Sequence, residues 1–397
     1  MTLHKTDEAL GFLPLPGDAG KPITVVGTDA IRDNFDEMCL QQALNSRMAP
    51  GVTDVILNPD GHAGYGAPVG CVMVSPTHIY PGPVGVDIKC SMSLLQLDIP
   101  EDAIADKVGQ LGSYGGGNHF GECEITRVND RPSMQATADS FGLKDGHVSF
   151  LSHCGSRGFG NLLAMAQFKD LERKFEKWST PYPSGDKKLV YAPLGTPEAD
   201  AYLDDMALGA NFATVNHLLI NALVLEAFQE ILPGGKGRLV YFISHNIARE
   251  EIIDGRKNWV HRKGATRAIP GGHFSLAGTP FAETGHPILL PGNPRDGSVV
   301  MVAKAGAERS AWSVNHGAGR QMGRKHAART LDQKSVDADF DAHDILSNCR
   351  KYPIDEAPDA YKNFPEVLRS VESAGLAETV AKLQARFVIK DEAAADD

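Results

Sequence analysis

Short apolar runs that end in glycine-rich turns loaded with His, Asp, Asn and Cys recur along this chain, and that alternation narrows what it can fold into. Residues 52–57, 69–74, 147–151, 239–243, 287–290 and 298–303 have the length and apolar character of strands. Three longer segments carry apolar side chains at three- and four-residue spacing and predict helices over 36–48, 160–178 and 198–232. The second starts in Ser156-Arg157-Gly158-Phe159-Gly160 and stops before Ser179-Thr180-Pro181; Pro233-Gly234-Gly235 stops the third. Strands whose loop ends hold the polar chemistry are the usual layout of an enzyme site.

At 397 residues the chain can bury a sizeable core, in one large domain or two smaller ones. Its 42% hydrophobic and 22% charged residues are ordinary for a soluble protein. No continuous apolar stretch of about 18 residues is visible, and the N-terminus lacks the basic-then-apolar pattern of a signal peptide. No membrane span and a cytoplasmic location are therefore expected. Six cysteines, at 39, 71, 90, 123, 154 and 349, form no CxxC pair and are read as free thiols. The acidic, alanine-rich residues 391–397 read as a frayed tail.

The net charge of −11 argues against non-specific nucleic-acid binding. Residues 234–329 run the other way, with fifteen Lys or Arg against six Asp or Glu. A basic segment in an acidic chain suggests a local anion site, with its cations around the active cleft.

Five places put a metal-ligand type at the end of an apolar run: Val86-Asp87-Ile88-Lys89-Cys90, Gly117-Asn118-His119-Phe120-Gly121-Glu122, Leu151-Ser152-His153-Cys154, Ile243-Ser244-His245-Asn246 and Val314-Asn315-His316. A lone His beside glycines is more often a hydrogen-bonded turn residue than a ligand. Four at equivalent positions, with an Asp and a Cys at a fifth, supply donors for two metal ions, and a thiolate can bridge both. Softness suits zinc, cobalt or iron as well as manganese. Magnesium and calcium are disfavoured. Pro59-Asp60-Gly61-His62 reads instead as a pair that orients other groups. His316-Gly317-Ala318-Gly319-Arg320 is the most telling stretch, because a turn of small residues lets backbone N–H groups approach a phosphate. A following helix holding Arg320, Arg324 and Lys325 is expected to add its dipole and cations. A histidine there can act as a nucleophile toward phosphorus. The GxxxxGK[ST] pattern of a P-loop is missing.

Taken in order, Pro59-Asp60-Gly61-His62, Gly85-Val86-Asp87-Ile88-Lys89-Cys90, Gly117-Asn118-His119-Phe120-Gly121-Glu122, Ser152-His153-Cys154-Gly155-Ser156-Arg157-Gly158, Ser244-His245-Asn246-Ile247-Ala248, Arg262-Lys263-Gly264-Ala265-Thr266-Arg267, Pro291-Gly292 and His316-Gly317-Ala318-Gly319-Arg320 resemble the RtcB-type RNA ligases over nearly the whole chain. The resemblance implies a single mixed α/β (α+β) domain over 1–397, with mixed sheets flanked by helices. It implies a GTP- and Mn²⁺-dependent ligase that joins 2′,3′-cyclic-phosphate or 3′-phosphate RNA ends to 5′-hydroxyl ends. The route would run through a guanylylated histidine and an RNA-(3′)pp(5′)G end. Residue by residue, Cys90 would bridge two Mn²⁺ ions, one completed by Asp87 and His119, the other by His153 and His245. His316 would take GMP. Asn118, His119, Phe120, Gly121, Glu122, His245, Asn246, Pro291, Gly292, Asn293, Pro294, Ser298, His316, Gly317, Ala318, Gly319, Tyr361 and Lys390 would hold the nucleotide. Arg157, Arg267, Arg320 and Arg324 are the candidates for RNA phosphates, and archease is a candidate accessory partner.

The chain departs from the family pattern in places. Lys89-Cys90-Ser91-Met92 stands where Gly-Cys-Gly-Met is usual, Asn293-Pro294 where a serine and a methionine are usual, and Asn216-His217 where Asn-Arg is usual. These changes mark a divergent bacterial-type paralogue. They motivate two other readings: an enzyme that caps 3′-phosphates or opens cyclic phosphates with weak sealing, and a nucleotide- or RNA-binding paralogue without turnover.

Overall fold

The computed structural model describes residues 1–18, 20–100 and 118–390. The glycines at 115–117 and the acidic tail at 391–397 lie outside the described residues.

The architecture is mixed α/β, as expected. Two large sheets carry it. The first has seven strands in the order His4–Lys5, Leu10–Leu13, Ile23–Val26, Asp54–His62, Val69–Ser75, Arg256–Lys263 and Asn246–Ile253. It is antiparallel apart from the parallel pairing of Ile23–Val26 with Asp54–His62. The second runs Gly237–Ser244, Ser91–Pro100, His147–Cys154, Phe120–Val128, Ala377–Ile389, Gly297–Ala303 and Pro287–Asn293, with Leu346–Ser347 paired to the side of Ala377–Ile389. A two-stranded ribbon, Ala265–Arg267 with Ser313–Asn315, lies beside them. All six strands expected from apolar runs are present, most of them longer than the runs. The three expected helices form as Glu37–Arg47, Arg157–Trp178 and Pro197–Ile231.

Register decides where the polar strand ends meet. In the second sheet Ser244 pairs with Ser91, Ser91 with Cys154, Met92 and Phe120 with His153, and Gly121 with both Ser152 and Ile389. Five adjacent strands thus present Cys90, His119, His153, His245 and Lys390 at one end. Neighbouring strands lie about 4.8 Å apart, within reach of a shared ligand. His245 also joins the two sheets. Ser244 closes a strand of the second, Asn246 opens a strand of the first, and the His245 backbone donates to Cys90 O (2.9 Å) and accepts from Ala265 N (3.2 Å).

Pro197–Ile231 buries a stripe at helical spacing that includes Met206, Gly209, Ala213, His217, Val224 and Phe228. Phe228 meets Phe150 edge-on, with ring centroids 6.4 Å apart, under the second sheet. Residues 206–225 hold no Asp, Glu, Lys or Arg. By length and composition this helix resembles a membrane span, a test that the core helix of a soluble protein also passes, and Asn211, Thr214, Asn216, His217 and Asn221 interrupt its apolar run. A correction concerns the segment after His316. The helix there begins only at Arg324, with Gly323 as its N-cap, so Arg320 precedes it and its dipole starts eight residues beyond His316.

The inward face of the long helix is held by aromatic packing against the second sheet. Phe150→Ala should cost about 3–5 kcal/mol by opening a cavity under Phe228, seen as a lower denaturant midpoint at unchanged m-value. A loss under 1 kcal/mol would show that Phe150 does not anchor the helix.

Candidate active site

Two donor sets share one thiol. Cys90, His153 and His245 form the first, and Asp87, Cys90 and His119 the second, with ligand atoms in each set within 4.8 Å of one another. Cys90 Sγ lies 3.0 Å from His153 Nε2 and 3.7 Å from His119 Nε2. His119 Nε2 is 3.0 Å from Asp87 Oδ2, and His153 Nε2 is 3.3 Å from His245 Nε2. Burial pushes His153 and His245 well below the ordinary imidazole range, and neighbouring histidines lower each further. Both therefore stay neutral and keep a lone pair for a cation. Among the described residues the buried His245 Nδ1 atom has no hydrogen-bond partner. Burial, and then the Asp87 carboxylate, push the Cys90 thiol well up. A divalent ion would displace that proton. Burial also works against ionised Asp87, but His119 and the Ser156 N–H (3.1 Å) hold it below the usual range. Each donor set would suit a divalent cation, with Cys90 common to both.

His316 stands beside this cluster, its ring centroid 4.7 Å from that of His245. Its Nδ1 lies 2.8 Å from Asp60 Oδ2 and 2.9 Å from Gly264 O, and its backbone N–H donates to the same Asp60 oxygen at 3.2 Å. Both ring partners are acceptors, so Nδ1 is the donor and Nε2 is the nitrogen that faces away from them. Asp60 is fully buried. Gly319 at φ +73° packs so tightly on it that a Cβ would fall 2.3 Å from Asp60 O. Gly264 at φ +60° does the same for His316, with ring atoms 3.0 Å from where a Cβ would be. Lys362 is buried below and donates to Pro59 O at 3.0 Å and to Gly61 O. Asp60-Gly61-His62 thus orients His316 rather than joining the metal ligands.

A cleft of about 460 Å³ opens over His316. Asn118, Phe120, His153, His245, Asn246, Pro291, Gly292, the 316–320 turn, Arg324 and Tyr361 line it. A smaller annex shares Phe120, Pro291, Gly292 and Tyr361 and adds Glu122, Asn293, Pro294 and Lys390. Gly121 and Ser298 sit behind these walls. Gly121 is in the sheet, and Ser298 is beside the carboxylates of Glu122 and Glu124. Burial raises both of those carboxyls, and their contact lets a proton be shared between them.

Several residues that matter here carried no mark in the sequence. Glu356, in a short 3₁₀ turn, is the hub of the annex. It accepts from Arg320 (3.0 Å), Arg324 (3.1 Å) and the Tyr361 hydroxyl, and Lys390 Nζ lies 3.4 Å away. Burial opposes its charge, but Lys390, Arg324 and Arg320 hold its carboxyl down to about 2. Lys263 lines the main cleft and donates to Tyr65 O; burial lowers its ammonium to about 7. It lay inside the Arg262-Lys263-Gly264 motif, but nothing there assigned it to the cleft.

The basic segment does not gather around the cleft as expected. Lys263, Arg320 and Arg324 line it. Arg262 and Arg267 instead meet Glu251, Arg295 meets Asp339 and Asp359, and Lys304 meets Glu378. Short apolar strands carry these cations to different faces, which a charge sum along the chain does not register. The four arginines proposed for RNA phosphates do not form one group. Arg157 sits on His119 Nδ1, Arg320 and Arg324 on Glu356, and Arg267 in a separate cleft.

The departures have local accounts. Lys89 adopts φ +55°, at a cost of about 1 kcal/mol relative to glycine. Its ammonium reaches Thr214 at 2.5 Å and lies 4.8 Å from the Phe242 ring centroid. Ser91 needs no such conformation and donates to Lys89 O at 2.7 Å. His217 is a buried tie between helix and sheet, with Nε2 2.8 Å from Cys154 O and Nδ1 3.0 Å from Ser93 Oγ. Asn293 closes its own turn on Asp296.

A family model described as tRNA-splicing ligase RtcB matches residues 42–111 and 100–391. The chain belongs to the RtcB family. It is 29% identical over 481 residues to the tRNA-splicing ligase RtcB of Nanoarchaeum equitans, covering 98% of this chain and 99% of that protein. The RtcB of Thermococcus kodakarensis is 29% identical over 442 residues, covering 88% and 90%. That of Pyrococcus horikoshii is 36% identical over 293 residues, covering 71% of this chain and 33% of the relative. None of the six cysteines is in a disulfide, as the lack of pairing motifs suggested.

Glu356→Gln should destabilise the protein by about 3–5 kcal/mol at pH 7, because three cations lose their buried counter-charge. The folded carboxyl titrates near 2, below its ordinary value of 4.5, so its contribution is complete above 4.5 and fades as pH falls toward 2. Urea unfolding of both proteins should show the gap narrowing over that window; a pH-independent gap would contradict the charge argument.

Proposed function

We propose that this RtcB-family chain is an RNA ligase that joins 3′-phosphate or 2′,3′-cyclic-phosphate ends to 5′-hydroxyl ends through guanylylated His316. The observation that carries the reading is the lock on His316, with Nδ1 fixed by Asp60 and Gly264 and the ring beside the Cys90 donor cluster. Two Mn²⁺ ions, held by Asp87, Cys90 and His119 and by Cys90, His153 and His245, would supply hydroxide near neutral pH to open a cyclic phosphate and would neutralise phosphoryl charge.

His316 Nε2 attacks the α-phosphorus of GTP. A P–N bond forms, the α–β P–O bond breaks and pyrophosphate leaves. The proton on Nδ1 stays, and the Asp60 carboxylate offsets the positive charge that develops on the ring. An oxygen of the RNA 3′-phosphate then attacks that phosphorus and the P–N bond breaks, giving RNA-(3′)pp(5′)G. Finally the 5′-hydroxyl attacks the RNA phosphorus, a phosphodiester forms and GMP leaves. The Ala318 N–H is taken by Pro291 O (3.1 Å), so of this turn the Gly317 and Gly319 N–H groups are the candidates to meet phosphate oxygens. Guanine, whose N1–H and N2–H donors match a carboxylate such as Glu122, would lie toward the annex side of the cleft, where Tyr361 and Lys390 also stand. Archease is a candidate accessory factor under this reading.

His316→Ala should abolish acid-labile labelling by α-labelled GTP, yet still seal RNA that already carries a 3′-guanylylated end. Retained labelling in that variant, or label on a lysine, would refute the assignment. Cys90→Ser replaces the shared thiol with a poor ligand and should lower both labelling and joining by at least 100-fold. Joining at the wild-type rate would remove the bridging role, and capped but unjoined RNA from the wild type would favour a capping enzyme.

A further inference from the structure

The long helix Pro197–Ile231 is built the wrong way round for one that meets water. Several of its polar residues turn inward. Thr214 accepts from the Lys89 ammonium at 2.5 Å, and Asn216 donates to Gly155 O at 3.2 Å. His217 and Asn221 both meet the Ser93 hydroxyl, at 3.0 and 3.2 Å. Its large apolar residues turn outward: Leu208, Phe212, Val215, Leu218, Leu219 and Leu223 are each 42–63% exposed. Phe159, on the neighbouring helix Arg157–Trp178, extends this face, its ring centroid 5.0 Å from that of Phe212. Leu162 is exposed on the next turn of that helix. Among the described residues nothing covers the face, and the joining chemistry above does not use it.

Contiguous apolar patches beyond a few hundred Å² mark interaction surfaces. Area and spacing point to the occupant. These eight residues expose on the order of 700 Å², close to the roughly 800 Å² that each partner of a standard-size interface buries. The spacing is also symmetric end to end. Leu208 and Leu223 are equidistant in sequence from a point between Val215 and Asn216, and so are Phe212 and Leu219. A second copy of the helix, antiparallel across a two-fold axis at that point, sets Leu208 against Leu223 of the partner subunit and Phe212 against Leu219 of the partner subunit. Such self-complementarity is what a two-fold interface between identical chains requires. A lipid surface fits less well. Carboxylates flank the face, Asp204 and Asp205 before it and Glu226 and Glu230 after it, where a helix lying on a membrane carries Lys and Arg. The pairing brings Asp205 toward Glu226 of the partner subunit, a repulsion that salt screens.

We propose that this face is a homodimer interface, in which two copies of the chain pair their Pro197–Ile231 helices antiparallel about Val215 and close Phe212 and the exposed leucines against each other.

The test uses the full chain. Sedimentation should show a dimer at micromolar concentration, tightening as salt rises. Val215→Glu sets two carboxylates face to face at the axis and should weaken the dimer at least about 100-fold. Because Val215 is exposed, the variant should keep the wild-type circular dichroism spectrum. Cysteine substitution reads the register. Under mild oxidation, Leu208→Cys chains mixed with Leu223→Cys chains should form a disulfide between copies above the wild-type level. Leu208→Cys chains alone, with sulfurs on the order of 20 Å apart, should not. A wild type that stays monomeric, a Val215→Glu variant that stays dimeric, or equal linking by Leu208→Cys alone would overturn the pairing. Flotation of a monomer with phosphatidylcholine vesicles would overturn it in favour of a lipid surface.

Discussion

Cys90 stands within 3.0 Å of one imidazole and 3.7 Å of another, and much of the fold exists to keep it there. A thiol, three imidazoles and a carboxylate crowded into a buried space gain little from one another without a cation. Their desolvation must be met by the packing around them. The second sheet meets it through strand register, which fixes five polar residues at one end while apolar residues fill the layer beneath. A one-residue slip of any of these strands would turn its ligand to the other face.

The same economy governs His316. Its tautomer is set by two acceptors on Nδ1, and one of them, Asp60, is enclosed so closely that glycine is required at 319. Lys362 secures the loop beneath, and Gly264 links the histidine to the strand that leaves His245. His316 and the donor cluster are therefore positioned by one connected body of backbone rather than by separate loops.

Charge is handled differently on the two sides of the cleft. In the annex, Glu356 balances Arg320, Arg324 and Lys390, and Asp355 adds a second carboxylate 3.5 Å from Arg324. On the donor side the charges are short-range and neutral imidazoles predominate. A protein of net charge −11 can thus present a cationic pocket without a cationic surface.

By itself, the sequence determined the helices at 37–47, 157–178 and 197–231, six of the strands, and the histidines, aspartate and cysteine at strand ends. Periodicity and turn residues are local properties, and they survive folding unchanged. The order of the motifs also marked the family. Tertiary structure alone decided that Arg320 lies outside the helix, that Glu356 gathers residues distant in sequence, and that the basic residues of 234–329 separate into different clefts. It also decided that Lys263 is buried in the cleft and that Asp60 serves His316. Each of these depends on which strands become neighbours and in what register. That is settled by packing between segments up to hundreds of residues apart, so no local pattern of residue types encodes it.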